Sequence, residues 1–283
     1  METKNQPLFI HKNTGEKDIF KPQKLIDALI RSGATQKEAN QVLSEIYPQL
    51  YNGITTGKIY KIAYKHLRKT SQKVAGKYRL KKAVMDLGPS GYPFEKFIGR
   101  LLRQKGYEVI VNKIIQGKCV THEVDVIARN HSEQIMVECK FHSEKGQKSD
   151  VKVPLYILSR FEDVKHTWEK DPQLKGLRFY GLIATNTRFT EDAKDFARCS
   201  GLKVLSWDYP PGNSLREWVD ESGFYPITAL HSLKKKEKSD LLEKDIVLCR
   251  ELKNHQAILK EIGIQESRIQ RILQEASELT GVK

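Results

Sequence analysis

The sequence has little of what secreted, zinc-stabilised or membrane-spanning proteins depend on. It contains four cysteines in 283 residues, and they stand far apart with no Cys-x-x-Cys pair. This spacing argues against a disulfide framework or a structural zinc site and favours reduced thiols. No stretch approaches the ~20 apolar residues that a membrane span requires, and the first residues contain no apolar signal region. We therefore expect a cytoplasmic protein with no membrane partner.

Acidic side chains are also in the minority. The 49 Lys and Arg residues exceed the 35 Asp and Glu residues, which gives a net charge of +14. Residues 1–90 hold most of this excess, with 17 basic against 7 acidic side chains. A concentrated positive field attracts polyanions, so nucleic acid or nucleotide phosphates are the expected partners. A basic protein without such a partner is the alternative.

Charge inside predicted strands identifies the candidate site. Two β-branched segments separated by a short polar turn predict adjacent strands, with Asp125 in the first and Glu138 and Lys140 in the second. Because alternate residues of a strand share a face about 7 Å apart, Glu138 and Lys140 should lie side by side. Val124 and Val126 should share the face opposite to Asp125. The charges can form an ion cluster, or the two carboxylates can hold a hard divalent cation next to the lysine.

The first ninety residues predict a β-hairpin followed by four helices. A turn at Asn13-Thr14-Gly15 separates short strands at residues 8–10 and 18–20. Apolar residues at helical spacing then predict helices over residues 22–33 and 36–50, a third that begins near Thr55, and a fourth that ends at Leu87.

This segment resembles the ATP-cone, a small nucleotide-binding regulatory domain. The resemblance covers residues 8–88 and rests on the motifs Lys12-Asn13-Thr14-Gly15, Phe20-x-x-x-Lys24-Leu25, Ile54-Thr55-Thr56-x-x-Ile59 and Lys77-Tyr78-Arg79-Leu80. It implies ATP or dATP as a regulatory ligand, with phosphates held by Lys12 and Lys24 and with Thr56 at a helix N-terminus beside them. A scaffold or a basic DNA-binding arm is the alternative.

The middle of the chain predicts a mixed α/β (α+β) domain. Gly88-Pro89 marks its beginning, and an amphipathic helix with Glu95 at the edge of its apolar stripe follows. A strand near residues 107–111, the two charged strands, a long helix, an apolar strand, a helix capped by Thr190 and a last strand complete the order α-β-β-β-α-β-α-β. Trp168, Trp207 and Trp218 are expected in the core.

This region resembles the PD-(D/E)xK nuclease superfamily, and within it the Mrr-like restriction endonucleases fused to an ATP-cone. The resemblance covers roughly residues 91–210 and rests on Gly91-Tyr92-Pro93-Phe94-Glu95, Leu101-Leu102-x-x-x-Gly106-Tyr107, His122-Glu123-Val124-Asp125, Val137-Glu138-Cys139-Lys140-Phe141-His142, Leu182-Ile183-Ala184-Thr185 and Phe189-Thr190-x-x-Ala193.

The resemblance implies a catalytic role for each charged residue of the site. Asp125 and Glu138 would bind Mg²⁺, or Mn²⁺, together with the main-chain carbonyl of Cys139. Lys140 would orient or deprotonate the attacking water, and Glu95 would support the metal or its waters. These groups match phosphodiester hydrolysis, which requires charge neutralisation at the phosphate and a nucleophilic water.

Other polar side chains near the site are expected to have supporting roles. His122 and His142 should support the site or lie on the surface. Lys145, Lys148 and Lys152 can form a phosphate-contacting loop or a solvated charged segment.

The last part of the chain predicts further helices. Ser214 should cap a helix over residues 215–221, and apolar residues at helical spacing with a break at Gly263 predict a helical tail. The tail faintly resembles a helix-hairpin-helix module, but packing or dimerisation is favoured.

The sequence therefore predicts three domains and a nuclease function. The domains are an ATP-cone at 1–88, a nuclease domain at 91–226 and a helical segment at 227–283. The predicted function is Mg²⁺-dependent cleavage of double-stranded DNA, of restriction or defence type, by a homo-oligomer with a nucleotide effector. The alternatives are an inactive DNA- or nucleotide-binding regulator and a structure-specific or RNA nuclease.

Overall fold

The computed structural model describes residues 7–12, 15–144 and 146–281. The predicted turn residues Asn13 and Thr14 and the loop residue Lys145 lie outside these ranges. Within them, no helix is long and apolar enough to cross a bilayer.

The N-terminal part is mostly helical around a small sheet. β1 and β2 form the predicted antiparallel hairpin, and the two-residue strand β3 extends it with parallel pairing to β1. Strand β3 was not predicted, because two residues are too few to show the alternation of apolar and polar side chains that is typical of a strand. The elements are β1 (Phe9–His11), β2 (Lys17–Ile19), α1 (Pro22–Arg31), α2 (Gln36–Ile46), β3 (Ile54–Thr55), α3 (Thr56–Thr70), α4 (Gln72–Tyr78) and α5 (Leu80–Met85).

The prediction of one helix up to Leu87 was wrong, because the chain breaks at Arg79 into α4 and α5. The apolar residues of α4 pack with helices α1 to α3. Those of α5, together with Leu87, pack in the core of the central sheet. A straight helix would not bury both apolar faces, since they face different cores.

The central domain is a five-stranded mixed sheet with helices on both faces. The strand order is β10-β8-β6-β5-β4, in which β6, β8 and β10 are parallel and β4, β5 and β6 are antiparallel. The elements are α6 (Tyr92–Gln104), β4 (Glu108–Gln116), β5 (Thr121–Arg129), β6 (Glu133–Lys140), β7 (Lys148–Ser149), α7 (Lys152–Trp168), β8 (Arg178–Thr185), β9 (Arg188–Phe189), α8 (Glu191–Cys199) and β10 (Lys203–Leu205).

The predicted order of helices and strands is present, and the two-residue strands β7 and β9 occur in addition to it. Thr190 caps α8 by accepting a hydrogen bond from the N–H of Ala193, and all three tryptophans are buried. Helix α6 packs on one face of the sheet, and α7 and α8 pack on the other. The central domain therefore has the mixed α/β architecture that the sequence predicts.

Helices of the C-terminal part complete the core on the α6 side of the sheet. Ser214 caps α9 (Leu215–Ser222) as predicted, and its capping box includes Glu217. The tail contains α10 (Lys235–Glu243), α11 (Gln256–Glu261) and α12 (Glu266–Thr280), with Gly263 at φ +82° between the last two. These helices bury their apolar residues in the cluster that contains α6 and Leu87.

Two contacts fix the N-terminal helices to this tail. Gly76 of α4 lies so close to α12 that an added Cβ would be 2.7 Å from Leu279 Cδ1. The Thr228 hydroxyl donates to the Ala83 carbonyl of α5 at 2.6 Å. One apolar core therefore joins α5, the central sheet and the tail.

Glu275 on α12 provides a stability prediction. Its buried carboxylate accepts hydrogen bonds from the N–H groups of His231 at 2.8 Å and Ser232 at 3.0 Å, and from the His231 ring at 2.7 Å. Burial raises the pKa of Glu275, but the hydrogen bonds from His231 and Ser232 outweigh it and lower the pKa to about 2. Ionised Glu275 therefore stabilises the fold above pH ~4.5, and this contribution is lost as the pH falls towards 2.

We expect Glu275→Gln to lower the free energy of unfolding by about 2–3 kcal/mol at pH 7. The difference from wild type should shrink at pH 3, which urea titrations at both pH values would measure. Exposed Glu278 on the same helix supplies the control variant Glu278→Gln. Equal differences at the two pH values would contradict the role of the Glu275 charge.

Candidate active site

The candidate site lies where β5 and β6 diverge. Regular pairing between these strands ends at Val126 and Val137, and beyond this point β6 pairs only with β8. The pairing of β5 with β4 also skips Asp125, opposite Asn112, which adopts φ 53°. The two strand ends are therefore free to direct polar side chains into one region.

This irregularity corrects one sequence prediction. Val124 packs with the α7 side of the sheet, whereas Val126 packs with the α6 side, so the two do not share a face. The left-handed backbone of Asn112 and the missing Asp125 pair interrupt the alternation between them. Asp125 consequently turns towards the end of β6 instead of projecting from a regular strand face.

Asp125 accepts a hydrogen bond that the main chain of β6 would otherwise donate to a neighbouring strand. Its Oδ2 accepts a hydrogen bond from the Cys139 N–H at 2.6 Å. Burial and, next, the negative charge of Glu138 raise the pKa of Asp125 to about 6. The two carboxylates are therefore close enough to repel each other.

Glu138 is 5% exposed and contacts two cations. Lys140 Nζ donates to Oε1 at 2.6 Å, and Arg160 Nη1 donates to Oε2 at 2.6 Å. Lys140 lies beside Glu138, as the strand periodicity predicts, and its side chain is 34% exposed. The ammonium group thus neutralises the carboxylate while remaining accessible from solvent.

Glu95 reaches the same region from the first turn of α6. Burial and, next, the charges of Asp125, Glu123 and Glu138 raise the pKa of Glu95 to about 7. The structure therefore brings together Asp125, Glu138, Lys140 and Glu95, with Cys139 between the two β6 residues.

Arg160 is a site residue that sequence analysis missed. It lies on α7, stacks near Tyr156 with 5.6 Å to the ring centroid, and donates to Glu138 and to the Glu123 carbonyl. The sequence offers no clear signal for it, because the buried stripe of α7 continues from Ile157 to Phe161 and Val164 with Arg160 beside it.

The end of β8 and the residue that follows it hold the end of β6 by hydrogen bonds. The Thr185 hydroxyl donates to the Lys140 carbonyl at 2.7 Å. The Asn186 amide accepts from the His142 N–H at 2.9 Å and donates to the His142 carbonyl at 2.8 Å. The His142 ring contacts Gln147 and Ser149, each at 3.0 Å.

His122 has a structural partner. Its Nε2 lies 2.8 Å from Asp163 Oδ2, and Asp163 also accepts from the N–H groups of Cys119 and Val120 in the β4–β5 turn. These contacts anchor the turn to α7.

The donor set fits a hard divalent cation. Asp125 and Glu138 offer carboxylate oxygens and Cys139 a main-chain carbonyl, which are the donors that Mg²⁺ prefers. Burial first, and neighbouring carboxylate charges next, raise the pKa values of Asp125 and Glu95, and a bound cation would favour their ionised forms. No three His, Cys, Asp or Glu side chains of the described residues form a ready metal cage, so side chains alone do not supply a complete set of ligands.

The three residues predicted to bind nucleotide, Lys12, Lys24 and Thr56, have different surroundings. Lys12 Nζ contacts Glu16 at 3.0 Å and Asp18 at 3.3 Å, and Asp18 also contacts Lys24 at 3.7 Å. Lys12 and Thr56 line a cavity of about 440 Å³, whereas Lys24 is not among its lining residues. Thr56 is the first residue of α3, and the side chain that caps this helix belongs to Thr55.

Two family models match the chain. The model described as restriction endonuclease (Mrr_cat) matches residues 88–210, and the model described as AF1548-like, C-terminal, matches residues 225–280.

One protein sequence and one solved structure each match about two thirds of this chain. An uncharacterized protein of Archaeoglobus fulgidus is 34% identical over 185 residues, which are 65% of this chain and 100% of that protein. The crystal structure of a protein of unknown function, AF1548, is 32% identical with a TM-score of 0.56, and the match covers 69% of this chain and 100% of that one.

Two further structures show weaker similarity. Can2 from Sulfobacillus thermosulfidooxidans, in complex with cyclic tetra-adenylate, is 16% identical with a TM-score of 0.34, over 74% of this chain and 64% of its own. The MspJI restriction endonuclease, in complex with a 27-mer oligonucleotide, is 10% identical with a TM-score of 0.29, over 61% of this chain and 38% of its own.

Proposed function

The chain belongs to the AF1548-like family and contains a restriction-endonuclease domain, and from this premise we propose that it is a metal-dependent endonuclease that hydrolyses phosphodiester bonds in DNA. The observation that carries the proposal is the arrangement of Asp125, Glu138 and Lys140 where β5 and β6 diverge. The basic excess of the chain supports a polyanionic substrate.

Each residue has a proposed task in this reaction. Asp125, Glu138 and the Cys139 carbonyl would hold Mg²⁺, or Mn²⁺. The bound ion supplies charge neutralisation at the phosphate and lowers the pKa of a water molecule. Lys140 orients the attacking water and takes part in its deprotonation, and Glu95 accepts hydrogen bonds from water molecules around the ion.

Arg160 and Lys140 compensate the charge of the Glu138 carboxylate. Both contact it at 2.6 Å in a buried position. A metal ion bound by Glu138 would share this carboxylate with the two cations.

A cleavage assay with several substrates tests the proposal. Supercoiled plasmid DNA, methylated and unmethylated, a branched DNA and a structured RNA are incubated with Mg²⁺, with Mn²⁺ or with EDTA. We expect DNA cleavage with either metal and none in EDTA. Cleavage in EDTA would contradict the metal mechanism, and cleavage of RNA alone would contradict the substrate. DNA binding without any cleavage would instead indicate a regulator.

For the N-terminal part we propose binding of ATP or dATP, as expected of an ATP-cone. The cavity lined by Lys12 and Thr56 supports this proposal, because it combines a cation with the beginning of the 15-residue helix α3. Its volume of about 440 Å³ lies in the range of small-molecule sites, about 300–1,000 Å³.

We expect Lys12→Ala to weaken ATP binding about tenfold, the effect of losing one charged contact of about 1.4 kcal/mol. Lys24→Ala should have a smaller effect, since the Lys24 side chain is 67% exposed and lies outside the cavity lining. Titration of a fluorescent ATP analogue measures both. Exposed Lys37 on α2 supplies the control Lys37→Ala, and equal affinities for all four proteins would contradict the proposal.

A further inference from the structure

The cavity with Lys12 and Thr56 has a second wall that belongs to the nuclease domain. Its N-terminal lining residues lie on β1, α3 and α5 or next to them, and the opposite wall consists of Gly146, Gln147, Lys148, Thr187 and Arg188. Those five residues precede or belong to the paired strands β7 and β9. A ligand in the cavity therefore touches both parts of the chain.

The lining is strongly cationic. It includes Lys12, Lys81, Lys82, Lys148 and Arg188, and no Asp or Glu residue is among the lining residues. Neighbouring carboxylates hold some of these groups, such as Asp86 on Lys82 at 2.6 Å and Asp208 on Arg188 at 2.8 Å. Lys148 is exposed and makes no ion pair within the part of the chain that the structure describes. The positive charge of Lys148, on the wall from the nuclease domain, is therefore available to bind an anion.

Tyr60 contributes apolar surface to the cavity. Its ring is fixed by stacking on Tyr78, with 4.9 Å between the centroids. The side chain therefore forms a firm wall beside the cations.

The second wall is connected directly to the catalytic strand. Gln147 contacts the His142 ring, and His142 follows Lys140 by two residues. On the other strand, Thr187 and Arg188 follow Thr185, whose hydroxyl holds the Lys140 carbonyl at 2.7 Å. The β7–β9 pairing of Lys148 with Arg188 joins the two segments. The loop then continues into α7, which carries Arg160.

We propose that this cavity is a composite site in which Lys148 and Arg188 of the nuclease domain bind the phosphates of a nucleoside triphosphate held on its other side by Lys12 and Thr56. The inference rests on the proposed nucleotide binding and adds its regulatory route. Nucleotide binding ties the loop of residues 141–151 to the N-terminal part and thereby orders the strand end that carries Lys140.

A small nucleotide fits the cavity better than a nucleic-acid strand. The volume corresponds to a small-molecule site, and Met85 and the Tyr60 ring provide apolar surface beside the cations. A DNA strand would instead follow an open basic groove.

Binding of ATP to the full-length protein tests the proposal. Affinities are measured by fluorescence titration for wild type, Lys12→Ala, Lys148→Gln, Arg188→Gln and the conservative Lys148→Arg. Exposed Lys170, which follows α7 and does not line the cavity, supplies the control Lys170→Gln. We expect about tenfold weaker binding for Lys148→Gln and for Arg188→Gln, retained affinity for Lys148→Arg, and no change for Lys170→Gln.

The outcomes separate this inference from the nucleotide proposal. Weaker binding by Lys12→Ala with unchanged binding by Lys148→Gln and Arg188→Gln would overturn the composite site alone. Failure of the wild type to bind ATP would overturn both proposals. A loss of affinity for a DNA oligonucleotide instead of ATP would identify the wall as a DNA contact and overturn the inference.

Hydrogen exchange tests the regulatory route independently. ATP should slow amide exchange in residues 141–151 of the wild type severalfold, and this protection should be lost in Lys148→Gln at an ATP concentration that saturates it. Unchanged exchange of this loop in the wild type with bound ATP would overturn the coupling.

Discussion

Asp125→Asn should reduce single-turnover DNA cleavage at saturating Mg²⁺ by about 10³-fold. The substitution keeps the side-chain shape and an oxygen that can accept from the Cys139 N–H, but it removes one of the two anionic groups proposed to bind the metal. The bound metal contributes several kcal/mol of transition-state stabilisation, and each 1.36 kcal/mol corresponds to a factor of about ten. The rate of plasmid cleavage and the heat of Mg²⁺ binding measure the two effects separately.

Asp192→Asn is a matched control, because Asp192 is exposed in the first turn of α8 and has the same chemistry. It should cleave at the wild-type rate. A wild-type rate for Asp125→Asn would refute the assignment of the metal site. Wild-type metal affinity combined with slow cleavage would mean that Asp125 acts on the reacting atoms and not as a ligand.

Lys140→Met should reduce cleavage by about 10²–10⁴-fold, the usual contribution of a positioned acid–base group. Methionine preserves the apolar stem but removes the ammonium that lies 2.6 Å from Glu138 Oε1. Because this ammonium competes with the metal for Glu138, Mg²⁺ affinity should stay equal or increase. Slower cleavage combined with unchanged or higher Mg²⁺ affinity distinguishes the role of Lys140 from that of Asp125.

Calorimetry and cleavage on the same protein samples check this division. Lys113→Met on β4 removes an exposed lysine from the same sheet and should leave both quantities unchanged. Loss of metal binding together with cleavage in Lys140→Met would show that Lys140 only maintains the strand end.

Local patterns predicted most of the architecture. The caps at Thr190 and Ser214 and the helical stripe of α6 depend on neighbouring residues, so they are readable without tertiary information. The helix break at Arg79 is different, because it arises from the separate cores that α4 and α5 join. The residues around Arg79 do not reveal that the two helices pack in different cores, so the break cannot be predicted from them.

The candidate site likewise combines contacts that the local sequence predicts with contacts that only the fold creates. Strand periodicity placed Lys140 next to Glu138, and the structure has this contact. The Asp125 contact with the Cys139 N–H depends on the divergence of two strands, and Arg160 comes from a helix that only the fold brings to Glu138. Contacts between distant segments are set by packing, and one sequence does not reveal them.

The shared core also limits how the N-terminal part can move. Leu80 and Leu87 lie in the same apolar cluster as Ile269 and Ile272 of α12, and Gly76 lets Leu279 approach α4 closely. Residues Gly88 and Pro89 therefore cannot serve as a hinge for a swinging arm, because the segments on both sides are packed against the same helices. Any effect of a nucleotide bound at the proposed site would therefore pass through these packed contacts and the loops beside them, without movement at Gly88 and Pro89.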